Sequence, residues 1–251
     1  MTDPLAPLRH SSKQLAETVE PLDEIELTRQ AYPTQWTIAD TLSHLGSGAV
    51  IFEHRLNDVL ADTPTPPDYF NSVWDEWNAK TPEAQGRDSI LADRSAIDRL
   101  GELTEEERSR VHVAFGPFEV GYEGFVTLRL SEHALHTWDV QVALDPTAVL
   151  SDDAVDVLID NLATITSFAS KPVGPERTYL VHTSSPERTF AVEVTSNKVT
   201  LSVAVADEVD VTLPAEAFVR LVYGRLDADH TPEGVNESLE LEALRQVFAG
   251  F

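Results

Sequence analysis

The 251-residue chain contains no cysteine. No disulfide can staple it, and no protein thiolate can serve as nucleophile or metal ligand. Any sulfur chemistry must therefore use a small thiol supplied from outside. Basic residues are scarce: 18 Lys and Arg stand against 43 Asp and Glu, a formal net charge of −25. A surface this acidic repels phosphate backbones and anionic lipid, which disfavours nucleic-acid and membrane-surface partners and reads most simply as solubility. Long apolar runs are missing too. No stretch approaches the roughly 18 apolar residues of a spanning helix, and Met1–Arg9 (MTDPLAPLR) lacks the apolar core of a secretory signal. These absences predict a cytoplasmic protein; a monomer or weak homodimer is expected. Hydrophobic residues make up 42 % and charged residues 24 %, a balance that supports a buried core and argues against wholesale disorder.

The two halves read differently and predict an α+β protein with domains over 1–170 and 171–251. Up to about Phe168 the apolar periods are helical. A first amphipathic stretch spans about Pro4 to Val19, and Pro33 marks a loop. Thr37 is an N-cap with Asp40 three residues on, a partial capping box. The helix it opens carries Ile38, Leu42, Leu45, Ala49, Phe52, Leu56 and Val59 and ends by the break at Pro64, Pro66 and Pro67. A Trp74–Trp77 segment, expected to be packing, leads to a third helix from about Pro82 to Leu103. Val111 to Val120 reads as a hairpin around Gly116-Pro117. Helices follow over about Tyr122–Leu144 and Ser151–Phe168. Past Lys171, Thr178–His182, Thr189–Thr195, Lys198–Ala204 and Asp210–Leu213 are rich in β-branched and aromatic residues, with a turn at Ser196-Asn197. Helices are expected from Pro214 to Tyr223 and from Leu239 to Phe248. The second domain is thus a small antiparallel sheet with helices on one side, and Lys171–Glu176, with Pro172, Gly174 and Pro175, reads as the linker.

The Tyr122–Leu144 helix carries the most information. At 3.6 residues per turn, Glu132 and His136 lie about 40° apart and Asp139 about 20° on the other side of Glu132. Phe125, Leu128, Leu135 and Ala143 share this direction. Three ionisable groups inside an apolar stripe need compensation, because a buried unpaired charge is expensive. A bound cation would supply it, since Glu and His at i, i+4 can reach one ion. A Glu–His hydrogen bond inside a bundle is the alternative. His44, in mid-helix and roughly 110° from the centre of its own apolar stripe, is a permissible third ligand, with Gly48 one turn on. His133 points about 100° away from Glu132 and is expected at the surface. His10, His54, His112, His182 and His230 show no comparable pattern.

Trp36–Gly46 (WTIADTLSHLG) resembles the second-helix motif of the mycothiol-dependent maleylpyruvate isomerase family, within the DinB-like metal-binding four-helix bundles. Glu132-x-x-x-His136 followed by Asp139 resembles that family's fourth-helix motif. Phe218–Arg225 (FVRLVYGR) resembles the helix-ending motif of its C-terminal domain, which is similar to sterol carrier proteins. The resemblance implies a DinB-like bundle followed by an α+β domain, with a zinc or other divalent metal held by His44, Glu132 and His136, and Asp139 orienting a ligand histidine. It also implies mycothiol as cosubstrate, a small electrophile as substrate, isomerisation or S-transfer as reaction, and Arg225 as a residue implicated in activity. For Arg225 a salt bridge to a nearby acid is the plainer alternative. Two other readings stay open: a metal-dependent hydrolase or transferase using another cofactor, and a non-catalytic protein binding a metal or small ligand.

Overall fold

The computed structural model describes residues 3–32, 35–115 and 118–250, so Pro33 and the Gly116-Pro117 turn lie outside the described residues. Two compact units divide at Ala148/Val149.

The N-terminal unit contains α1 (Leu5–Val19), the short α2 (Glu24–Leu27), α3 (Ile38–Ala61), α4 (Tyr69–Asn78), α5 (Pro82–Glu102), α6 (Glu105–Arg110), the hairpin β1 (His112–Phe115) and β2 (Phe118–Gly121), and α7 (Tyr122–Leu144). The four long helices form a closed ring: α1 packs against α5 and α7, and α3 packs against the same two. This is the expected bundle; α2 and α6 are too short to show an apolar period in the sequence. Local signals fix the ends of α3. Thr37 and Asp40 form a complete capping box, with Asp40 N donating to Thr37 Oγ1 (3.1 Å) and Thr37 N to Asp40 Oδ2 (2.9 Å). Asp62, left-handed at φ 53°, stops the helix before the prolines. The core is aliphatic, with Leu15, Ile38, Leu42, Leu45, Ile90 and Val140 buried together. Phe52 of α3 stacks on Phe125 of α7 with centroids 3.9 Å apart. Gly46 lets α4 approach α3, because a Cβ there would lie 2.2 Å from the Trp77 ring. Trp77 is accordingly buried, while Trp74 is exposed.

The C-terminal unit opens with α8 (Asp152–Leu158), a 3-10 turn (Ile159–Asn161) and α9 (Leu162–Ala169), so the Ser151–Phe168 helix is broken in the middle. Strands β3 (Arg177–Ser184), β4 (Arg188–Val194), β5 (Val199–Val203) and β6 (Val211–Pro214) stand in the order β5-β4-β3-β6. The β3–β4 and β4–β5 pairs are antiparallel, but β6 joins β3 in parallel, so the sheet is mixed rather than wholly antiparallel. The reason lies in the connection: after β5 the chain returns to the far side of β3, a crossover that strand composition does not reveal. Helices α10 (Ala215–Val222) and α11 (Leu239–Val247) complete the unit, and Phe218 of α10 meets Phe190 of β4 with ring centroids 5.1 Å apart. The division of units also departs from the expected boundary at Lys171. Helix α9 packs on β5, and α10 packs on both α8 and α9, so residues 152–169 belong with the sheet. The Pro- and Gly-containing 171–176 stretch is a connection inside the unit, with Lys171 N donating to the Val247 carbonyl at 2.8 Å. Among the described residues no helix is long and apolar enough to cross a membrane.

Candidate metal centre

Helices α3 and α7 bring His44, Glu132 and His136 together. Glu132 Oε2 lies 3.2 Å from His44 Nε2 and 3.7 Å from His136 Nε2. One ligand atom from each residue lies within 4.8 Å of the other two, and among the described residues no other three His, Asp or Glu side chains converge this way. A tetrahedral zinc with bonds of about 2.0–2.2 Å spaces its ligand atoms by roughly 3.3–3.6 Å, so the triangle needs little movement to close on an ion. Two imidazoles and one carboxylate are also a chemically suitable donor set that leaves a fourth position open. The mouth faces solvent, with the Glu132 and His44 side chains 51 % and 38 % exposed and His136 only 11 %. The same distances also make a His44–Glu132 hydrogen bond, the alternative noted for the sequence.

The surroundings favour the charged, oriented forms. The Glu132 carboxyl is crowded enough by protein for burial to push its pKa up, despite its exposed surface. The hydrogen bond from His44 and the electrostatic attraction of His136, His44 and Arg129 outweigh that and hold it at about 2. Glu132 is therefore an anion at any physiological pH. Asp139, fully buried, accepts a hydrogen bond from His136 Nδ1–H at 2.7 Å. That contact fixes the tautomer and leaves the Nε2 lone pair facing Glu132, the carboxylate–histidine arrangement common behind metal ligands.

Two features escaped the helix-face arithmetic. The first is Trp36, whose ring lies against both imidazoles: 5.0 Å from His44 and, nearly parallel, 5.8 Å from His136. Its backbone is held in the loop before α3, where its carbonyl accepts from Ala31 N (3.0 Å) and Gln30 Nε2 (3.2 Å). The second overturns an expectation: His133 is not at the surface but fully buried. Its Nε2–H donates to Asp93 Oδ2 of α5 at 2.9 Å, and its Nδ1 accepts from Ser11 Oγ of α1 at 2.8 Å. Asp93 is paired in turn with Arg129. The signal was present in the sequence, because Arg129, His133 and Thr137 recur every four residues as a second polar row on α7.

Arg225 lies in the C-terminal unit, just after Gly224, whose φ of +71° would strain any other residue. Its N–H donates to the Arg220 carbonyl (2.7 Å) and its Nη1 to the Tyr223 carbonyl (2.9 Å). The buried guanidinium of Arg220 grips Glu216 through two contacts of 2.7 and 2.9 Å and donates to the carbonyls of Arg225 and His230. Arg220 thus ties down the backbone that carries Arg225.

Residues 8–141, more than half of the chain, match the sequence profile of the mycothiol maleylpyruvate isomerase N-terminal domain. The segment includes His44, Glu132, His136 and Asp139. No curated protein sequence matches the chain. Two solved structures share its fold. A crystal structure of the mycothiol-dependent maleylpyruvate isomerase superposes with a TM-score of 0.66 at 18 % identity, over 93 % of this chain and 90 % of that one. A histidine-to-alanine mutant of that enzyme gives 0.65 at 17 % identity, over 89 % and 88 %. The match in sequence over most of the bundle, with a shared fold over nearly the whole length, identifies the chain as a member of the mycothiol maleylpyruvate isomerase N-terminal domain family.

Proposed function

We propose that the protein is a metal-dependent isomerase that uses mycothiol to isomerise a small electrophile of the maleylpyruvate type, with His44, Glu132 and His136 holding a divalent cation, zinc by the chemistry of the donor set. The observation that carries this reading is the convergence of two imidazole nitrogens and one carboxylate oxygen at a solvent-facing mouth, with a buried carboxylate orienting one of the imidazoles. The lack of cysteine agrees with it, since the thiol must arrive as a cosubstrate. A cation at these residues would supply a Lewis-acidic position at which the incoming thiol loses its proton near neutral pH.

The chain's own residues do the rest. Glu132 stays ionised, Asp139 holds His136 by Nδ1, and Trp36 packs beside both imidazoles. The thiolate of the cosubstrate adds to one carbon of the cis double bond, and the π pair moves toward the conjugated carbonyl. Rotation about the resulting single bond follows, and return of the pair expels the thiolate from the trans product. Arg225 is assigned to a carboxylate of substrate or cosubstrate, a group its planar fork suits. An S-transferase would share the addition and keep the adduct.

Metal analysis together with a thiol-dependent assay on maleylpyruvate tests the reading. Stoichiometric divalent metal is expected, with turnover that requires mycothiol without consuming it, and both are lost in His136→Ala. Full activity in metal-free protein, or in His136→Ala, would falsify it. Stoichiometric consumption of thiol would reassign the chemistry to S-transfer, and metal uptake without turnover with any thiol would mark a binding protein.

A further inference from the structure

The buried polar row of α7 is not used by the chemistry above, yet it touches all four helices of the bundle. Arg129, only 6 % exposed, is paired with Asp93 of α5 and donates from Nη2 to the Leu45 carbonyl of α3 at 2.9 Å. His133 bonds Asp93 on one side and Ser11 of α1 on the other, and Thr137 Oγ1 lies 3.2 Å from His133 Nδ1. Leu45 directly follows His44, and Arg129 and His133 lie within one turn of Glu132 and His136. Space for the guanidinium comes from Gly48, where a Cβ would approach Arg129 Nη1 to 3.0 Å.

A buried ion pair is a poor way to gain stability, because desolvation offsets most of its attraction. Its value lies in direction. The aliphatic contacts between α3 and α7 tolerate small slides and rotations. A planar guanidinium shared between a carboxylate and a particular carbonyl does not. A metal site tolerates errors of only about 0.5 Å in ligand placement. We propose that Arg129, locked by Asp93 and His133, is a positioning residue that sets the register of α7 against α3 and so fixes Glu132 and His136 relative to His44. The inference rests on the metal reading of that site.

The test uses the full-length protein, stripped of metal, and reads Zn²⁺ affinity by chelator competition and the visible spectrum of bound Co²⁺. Arg129→Met combined with Asp93→Asn removes both charges while leaving His133 an acceptor. Arg129→Lys keeps the charge, but its shorter side chain falls short of the position from which Arg129 Nη2 serves both Asp93 and the Leu45 carbonyl. We expect the double variant to unfold cooperatively, to bind Zn²⁺ at least about tenfold more weakly, as found when residues supporting metal ligands are lost, and to change the Co²⁺ spectrum. Arg129→Lys should fall in the same direction by less. A folded double variant with wild-type affinity and spectrum overturns the proposal; should it fail to fold, wild-type affinity in Arg129→Lys does so. A wild-type protein that takes up neither ion overturns the metal reading itself, and the proposal with it.

Discussion

Helix α7 carries two polar rows built from similar residues and put to opposite uses. In one, Glu132 and His136 face a solvent-exposed mouth beside His44, and the carboxylate is held far below its ordinary pKa with coordination capacity to spare. In the other, Arg129 and His133 are sealed in the core, where Asp93 and Ser11 occupy the imidazole's two nitrogens and Asp93 and the Leu45 carbonyl take the guanidinium. The same chemistry is buried and satisfied in one row and left open and oriented, as a candidate metal site, in the other. What separates the two rows is which neighbours complete them, not the residue types on the helix.

The comparison can be broken most sharply at Arg129. Arg129→Met leaves the Asp93 carboxylate in the core without its cation and should destabilise the fold by about 3–5 kcal/mol, measured by urea unfolding; a loss below 1 kcal/mol on the same urea curve would mean the row is not a lock. The same row has a pH signature. Burial raises the Asp93 pKa, but His133 and Arg129 lower it further, so the folded value lies below the ordinary one. Its contribution is therefore fully present above the unfolded value of about 3.9 and is lost as pH falls through the lower folded value. Asp93→Asn should lower stability at neutral pH and flatten the acid limb below about pH 4, and an acid limb as steep as wild type would contradict this.

The open row should respond in metal affinity instead of stability. Asp139→Asn removes the carboxylate behind His136 and should weaken Zn²⁺ binding by about 10- to 100-fold, with little change in the unfolding midpoint; unchanged Zn²⁺ competition would show that Asp139 does not orient the ligand. The smallest effect is expected at the end of α3. Thr37→Ala removes one side of the capping box and should cost about 1 kcal/mol of stability, while metal affinity stays close to wild type because the ligand-bearing turn lies farther along the helix.

The open row was legible in the sequence because Glu132, His136 and Asp139 interrupt an apolar stripe. The closed row is equally periodic, but the angle of His133 from Glu132 carries no information on its partner, Asp93, which sits 40 residues away on another helix. Trp36 opens the Trp36–Gly46 motif, yet its contact with two imidazoles depends on how the loop before α3 folds back onto α7. The helix over Tyr122–Leu144 and the capped start at Thr37 agree with the sequence to the residue, because local hydrogen bonding and periodicity decide them. The parallel β6 and the placement of residues 152–169 in the C-terminal unit are set by long-range pairing and packing.

By itself, then, the sequence determined the helical bundle, the strand-rich second half, the polar interruption on α7 and the lack of any protein thiol, since each follows from local period or composition. Only the tertiary structure decided that His44 meets Glu132 at 3.2 Å, that Asp139 stands behind His136, and that an ion pair beneath them ties the helices together. The His44–Glu132 and Arg129–Asp93 contacts join residues far apart in the chain, and which far residue completes a polar group is fixed by packing, on which local periodicity carries no information; Asp139 and His136 share one helix face, and packing decides only that the pair is buried.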